Sequence, residues 1–348
     1  MINSILYRNA LFTALMMFLA GASSPPQLKP QAGGVRAQLR GVSAVSAKVA
    51  WASGGNGTYL RTTDGGQTWL NGTVPDASSL DFRDVEAIDA DTAYLLATAG
   101  KIYKTVDGGR HWSLQYDNTS AGVFLDSLAF WDPKNGVALG DPINDSFLLL
   151  TTSDGGATWN QIPSKNIPPA IKGEAAFAAS GTCIAVEGKN NVWFVTGGKA
   201  ARVFRSGDRG QTWKVSNTRI VSGEDSTGIF SIAFKDAKNG IVIGGDYKRP
   251  DVVTDNAARS TDGGVTWTLV ERSRPNGYRS CVAFVRDTST LIAVGEKTCD
   301  YSTDGGASWT SFGNEGYHSI SIASSGSGWA VGANGKIAAL HIGESTRR

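Results

Sequence analysis

Eight polar residues recur at comparable places along the chain and carry the chemistry it could do. Arg40, Arg83, Asp126, Arg279 and His318 each stand just before a short apolar run. Asp141, Asp246 and Glu296 each close a run written "LGD", "GGD" or "VGE". Arg40, Arg83 and Arg279 in one cluster could grip a substrate carboxylate, as sialidase-type chemistry requires beside an activated Tyr–Glu pair and an acid/base Asp. Two of the acids, Asp126 with Asp141, Asp246 or Glu296, could hydrolyse a glycoside if they stood about 5–10 Å apart across an open pocket. The same groups could instead pair with one another and frame a binding surface. His318 by itself reads as a satisfied channel residue. No motif selects a catalytic set, so the catalytic residues are unassigned.

Six further aspartates sit in a phrase that the chain repeats: "TDGGQTW" (Asp64, Trp69), "VDGGRHW" (Asp107, Trp112), "SDGGATW" (Asp154, Trp159), "GDRGQTW" (Asp208, Trp213), "TDGGVTW" (Asp262, Trp267) and "TDGGASW" (Asp304, Trp309). A catalytic group copied onto six separate units could not converge on one substrate, so a structural role is expected. The Asp carboxylate can accept bonds from the backbone N–H groups that follow it. The glycines permit the positive φ of a tight turn, and the Trp ring can fold back over that turn. His111 in a Thr/Ser slot and Arg209 in a Gly slot predict looser turns in the second and fourth copies.

The elements that position these residues are short strands. The phrases lie 42 to 54 residues apart, and each unit holds four β-like runs. In the fifth unit these are "GIFSIAF" (228–234), "GIVIGG" (240–245), "ARS" (258–260) and "WTLVE" (267–271). A repeat of that length with four strands is the mark of a propeller. The innermost strand, A, recurs around Val42, Val85, Leu128, Ile184, Ile232, Val282 and Ile320, which makes seven. The last unit has three strands and no phrase, so residues before Val35 are expected to donate its outer strand and close the ring. The prediction is an all-β, seven-bladed β-propeller of four-stranded antiparallel blades with six phrase turns, a single domain over 35–348. Its D–A and B–C loops share one face, with the A–B loops and phrase turns on the other. The eight polar residues fall at the channel mouth of the first face. The long connections 163–177, 216–228 and 246–259 give that face a polar, mixed-charge rim over blades three to six.

The N-terminus reads as a targeting segment over 1–22, with Arg8, the apolar run "ALFTALMMFLA" (10–20) and a small-x-small site "AGA" (20–22). Cleavage would leave an extended lead-in, 23–34, and an exported, periplasmic or secreted monomer without a membrane span; a retained anchor is the alternative. A net charge of +2 supplies no electrostatic case for nucleic acid. Cys183 and Cys281 fall at equivalent inner-strand positions of non-adjacent repeats, and Cys299 lies two strands from Cys281. No disulfide is expected from that placement. No metal or cofactor is expected, since no Cys/His spacing or nucleotide-binding fingerprint is present.

The phrase resembles the Asp-box, or BNR repeat, of sialidases, sortilin-type receptors and related propellers. "LRGVSAVSAKVAWASGGNGTYLRTTDGGQTW" (39–69), "NGVALGD" (135–141) and "NGIVIGGD" (239–246) make the chain similar to exported seven-bladed photosystem II stability/assembly factors and their relatives in non-photosynthetic bacteria. The resemblance implies an assembly chaperone that binds a membrane-protein precursor. Relatives also carry labels such as glycosyl hydrolase or oxidoreductase. Two functions are therefore expected to compete. The first is a non-catalytic binding or assembly scaffold for a cell-envelope protein or peptide. The second is a BNR-type glycoside hydrolase acting on an extracytoplasmic glycan. A sialidase is disfavoured, because the "RIP" signature before the first box is missing.

Overall fold

The computed structural model describes residues 25–342; the segment 1–22, expected to be a targeting segment, lies outside them. The strands form seven sheets. Their innermost strands are Leu39–Ala44, Phe82–Ala87, Leu125–Phe130, Ile184–Glu187, Thr227–Phe234, Cys281–Phe284 and Ser319–Ile322. Each touches the next, and the seventh touches the first, so the sheets form a closed ring of seven blades. Among the described residues there is no α-helix, and no helix is long and apolar enough to cross a membrane.

Burial decides which strands can be apolar throughout. The B strands Ala50–Gly54, Ala93–Ala97, Leu291–Val294 and Gly328–Val331 are buried at every residue. Blades pack on both sides of a B strand, so its side chains need not alternate with polar ones. The D strand Leu70–Thr73 stands at the rim and is largely exposed. Each blade thus grades from dry at strand B to wet at strand D.

Ring closure follows the expected route. Strand Gln27–Ala32 pairs antiparallel with Lys336–His341, from Gln27 opposite His341 to Ala32 opposite Lys336, and supplies the outer strand of blade seven. Gln31 then fastens the seam. Its Oε1 accepts from the indole N–H of both Trp69 and Trp329, at 3.1 Å each. Its Nε2 donates to the Gly65 carbonyl at 3.2 Å. One side chain on the closing strand therefore reaches both the last blade and the Asp-box of the first.

The Asp-boxes are hairpin clips. In the third, Thr158 donates its backbone N–H to Asp154 Oδ1 at 2.9 Å and its hydroxyl to Asp154 Oδ2 at 2.6 Å. Thr152 Oγ donates to Asp154 Oδ1 and accepts from the Gly156 N–H. The two irregular copies are not loosened, contrary to expectation. His111 donates its backbone N–H to Asp107 at 2.9 Å and sets its ring Nδ1 2.6 Å from the same carboxylate, where Thr is usual. Arg209 takes the left-handed conformation, φ 59°, that glycine takes elsewhere, and keeps its amide on the Asn190 carbonyl. Corresponding amides of Gly65, Gly108, Gly155, Gly263 and Gly305 bond A–B turn carbonyls. Those bonds fix the boxes and the A–B turns on one face.

Candidate functional site

A backbone irregularity aims the site's side chains. Strands A of blades one, two, three and five each shift register by one residue near their start. The unpaired residues are Arg40, Arg83, Asp126 and Phe230, and such bulges turn a side chain out of the ladder. His318 holds the same position in blade seven, two residues before Ile320, with its N–H on the Val331 carbonyl. Sequence-predicted residues from blades one, two, three and seven are therefore brought to one end of the channel.

That end is closed. The connector from blade three to blade four crosses the axis at 176–182 and is tied down from most of the ring. Arg83 donates to the Ala178 carbonyl at 3.0 Å, Ser127 Oγ to the Gly181 carbonyl at 2.7 Å and Ser319 Oγ to the Ser180 carbonyl at 2.9 Å. Ser180 Oγ donates to the Ser280 carbonyl, and Ile232 donates its N–H to the Thr182 carbonyl. Gly181 is required here, since at φ 71° a Cβ would come 2.1 Å from Asp84 Oδ1. The open end of the channel is the opposite one, a cavity of about 720 Å³ bounded by the A–B turns.

Arg40 and Arg83 stand outside this stopper with unequal partners. Arg83 Nε donates to Asp81 Oδ2 at 2.5 Å. Arg40 has no ion-pair partner among the described residues, and its Nε is buried without a hydrogen bond. Burial and the Arg83 charge lower the Arg40 pKa, while Asp81, Glu296 and Tyr278 act from further off to raise it. His318 is held neutral: burial and the Arg40 charge push its pKa down to about 4. Its Nδ1 lies 2.9 Å from the Leu39 carbonyl, so that nitrogen carries the proton. The mouth thus offers one unpaired guanidinium beside a paired one.

The acids divide differently. Asp126 is fully buried, and neither carboxylate oxygen has a hydrogen-bond partner. Burial, then the Asp141 charge, raise its pKa well above the usual range, against the pull of Arg83. Asp141 is pushed up to about 6 by burial and accepts the Ala176 N–H at 2.9 Å. Asp246 is buried too, but Arg249 Nε lies 2.7 Å from its Oδ2. Bonds from Arg249, Ser226 and Lys248 hold its carboxyl below the usual range despite that burial. Glu296 is exposed at the blade-six corner. Asp126 and Asp141 are neighbours, but the first presents no oxygen to a substrate.

Arg279 is not at the mouth, contrary to expectation. It stands three residues before Val282, where Arg40 stands two before Val42, so Ser280 holds the equivalent place. The Arg279 side chain turns into blade six and bonds Asp300 Oδ2 through Nε at 2.6 Å and Thr298 Oγ through Nη2 at 2.7 Å. Nor is the 163–177 connection a free rim loop. Glu174–Ala175 pairs with Gly197–Gly198 and extends the blade-five sheet. Fully buried Glu174 is gripped by Arg202, with Nε 2.8 Å from Oε1. Cys183, Cys281 and Cys299 are free and buried.

Apolar side chains surround the mouth. Phe124, Ile171, Tyr247, Val252 and Val253, all on D–A or B–C connections, are exposed. Beneath them Phe177 of the stopper stacks on Phe230 at 4.0 Å, and Tyr278 meets the same ring edge-on at 4.8 Å. Asp81 and Tyr278 were not singled out from the sequence, although each lies within two residues of an arginine that was.

Residues 45–129, from the first A–B turn to strand A of blade three, match the family model described as photosynthesis system II assembly factor YCF48. Over that stretch the chain is similar to YCF48 assembly factors. A solved YCF48 bound to D1 peptide matches with a TM-score of 0.64 and 18% identity, over 94% of this chain and 99% of that one. YCF48 from Cyanidioschyzon merolae matches with a TM-score of 0.67 and 16% identity, over 91% and 99%. A GH74 xyloglucanase from Xanthomonas campestris matches with a TM-score of 0.64 and 15% identity, over 90% of this chain and 53% of the enzyme. No curated protein gives a significant sequence match. These likenesses bear out the seven-bladed propeller architecture.

Proposed function

We propose that the protein is an exported, non-catalytic binding or assembly factor that takes an extended segment of a cell-envelope protein across its D–A/B–C face. The observation that carries this reading is the unpaired guanidinium of Arg40 beside Arg83. Two cations held close at a half-buried mouth repel each other, and Asp81 serves only one of them. A carboxylate on a partner would relieve that repulsion and gain charge-assisted hydrogen bonds. Phe124, Ile171, Tyr247, Val252 and Val253 would receive apolar side chains flanking that carboxylate. A YCF48 in complex with a D1 peptide supports a peptide as the class of ligand.

The glycosidase reading has less beneath it. Asp126 is covered, Asp141 is engaged by a backbone amide and Asp246 by Arg249; exposed Glu296 shares a small pocket with Asp251, which Lys297 pairs. Affinity capture from an envelope extract of the source organism tests the choice. Wild type should retain a polypeptide that Arg40→Glu releases. Recovery of no partner, together with turnover on a glycan panel, would overturn the scaffold.

A further inference from the structure

The axial cavity on the Asp-box face is built unlike the rest of the molecule. Its floor is the stopper, Ser180 to Thr182, and its rim carries Glu187, Lys235, Asp236, Arg286 and Asp287. Halfway up the wall, each blade contributes the residue that follows the central one of strand A. Blades one and seven supply Ser43 and Ser321, blades three to six supply Ala129, Ala185, Ala233 and Ala283, and blade two supplies Glu86. Six small residues and one acid leave a wide chamber with a single carboxyl in it. Two positions nearer the floor, the same strand adds Asp84, which is 4% exposed. Val85, Leu128, Ile184, Ile232, Val282 and Ile320 lie behind this layer, almost fully buried, and half-buried Val186, Phe234, Phe284 and Ile322 add apolar surface toward the rim.

Glu86 is unsatisfied, and Asp84 is satisfied through one oxygen only. Asp84 Oδ2 accepts the Leu128 N–H at 2.7 Å and lies 2.9 Å from Ser127 Oγ, whose one proton goes to the Gly181 carbonyl; Oδ1 lies against Gly181 at the cavity floor and makes no hydrogen bond of normal geometry with the described residues. Glu86 makes none with either oxygen, and no Lys or Arg pairs with either acid among the described residues. Burial pushes Asp84 up to about 7; burial and the Asp84 charge push Glu86 up to about 8. The hydroxyls of Ser43 and Ser321 each accept one backbone amide and keep a second lone pair free.

We infer that this cavity binds a small organic cation, an aliphatic primary amine or diamine, whose ammonium group sits between Glu86 and Asp84. An ammonium offers three donors, which the two carboxyls and the Ser43 or Ser321 hydroxyl can accept. Its methylene chain would pass the half-buried Val186, Phe234, Phe284 and Ile322 and point toward the rim, where acids outnumber bases by three to two. An anion would meet two acids, and no third Asp, Glu, His or Cys joins them among the described residues to complete a metal site. The cation displaces the carboxyl proton to buffer, leaving an ammonium–carboxylate pair.

Isothermal titration of the whole protein with 1,4-diaminobutane tests this, using 1,4-butanediol as the uncharged control. At pH 7 the diamine should bind and the diol should not. Repeating the titration in buffers of different ionisation enthalpy should show net proton release of up to one per site. Glu86→Gln should weaken binding by about tenfold or more, the range expected when one charge-assisted partner is lost. Ala185→Leu, which fills the chamber and leaves both acids in place, should weaken it as well. Lys214→Glu, on the exposed outer strand of blade four, should leave it unchanged. No heat with the wild type at millimolar diamine, equal binding of the diol, or undiminished binding by Glu86→Gln would overturn the inference. So would calcium binding that the diamine does not displace.

Discussion

Arg83 of blade two donates through Nη1 to the carbonyl of Ala178, 95 positions away, at 3.0 Å. With Ser127 and Ser319 it pins a connector that belongs to neither blade two nor blade seven. The propeller therefore has two faces with separate interiors. One bears the Arg40 and Arg83 guanidiniums above a stopper, and the other opens into an acid-lined cup beneath it.

Loss of the stopper's ties should loosen it without dismantling the blades. Ser127→Ala with Ser319→Ala removes two hydroxyl donors to carbonyls in the buried connector. At about 1 kcal/mol for each neutral bond, the pair should cost about 2 kcal/mol. Amide exchange over 176–182 should accelerate well before that of the B strands. Unchanged protection there would mean the connector is held by packing alone.

Arg209 should be a point of mild strain. It takes φ 59° where the other boxes have glycine, and a left-handed residue with a Cβ costs about 1 kcal/mol. Arg209→Gly should gain somewhat less than that, because the Arg209 bond to the Lys189 carbonyl and its ion pair with Asp132 are lost. Thermal denaturation of the variant measures the difference, and a clear loss of stability would show that those two contacts outweigh the turn.

The Arg279–Asp300 pair is buried on both sides, at 2% and 1% side-chain exposure. Asp300→Ala strands the guanidinium in a dry setting and should destabilise by about 3–5 kcal/mol. Replacing both members, Arg279→Met with Asp300→Leu, should recover much of that loss. If the double variant is as unstable as the single, the Ser311 and Asn276 bonds to Asp300 carry the effect instead.

Stability should fall as the solution becomes alkaline. Asp84 and Glu86 keep their protons up to about pH 7 and 8, whereas the unfolded chain releases them near pH 4. Between those values the folded state binds more protons, so each group lowers stability by at most about 1.4 kcal/mol per pH unit as pH rises. Asp126 and Asp141 act in the same direction. His318, pushed down to about 4, opposes them between pH 4 and 6.5, where the unfolded chain takes up a proton that the folded one refuses. Urea midpoints should be higher at pH 5.5 than at pH 8.5, and Glu86→Gln should reduce the difference. A midpoint that rises with pH would mean the acids are ionised in the folded state.

The ring was legible in the sequence because each clip must use the same atoms. An Asp that gathers amides, residues that accept positive φ and a Trp lid leave few substitutions open, so the period stands out. Blade seven was legible through the absence of a clip. The stopper was not, because 176–182 occurs once and gains its order from carbonyls bonded by serines of distant blades. Arg279 was misplaced for a related reason: in "YRSCVAF" it is one residue too early for the bulge, which counting back from Val282 would have revealed. Asp84 and Glu86 looked like ordinary alternating polar residues of one strand. Only the small side chains at the same level of the other six blades make them the lining of a cavity.

Arg40 is the proposed anchor of a polypeptide on the D–A/B–C face. Chemical cross-linking of the protein in an envelope extract, read by mass spectrometry, tests that most directly. Wild type should form cross-links from Lys199 and Lys248, both exposed on that face, to one partner polypeptide. Arg40→Glu should abolish them, and Lys48→Glu on the Asp-box face should not. Cross-links that persist in Arg40→Glu, or that arise only from the Asp-box face, would contradict it.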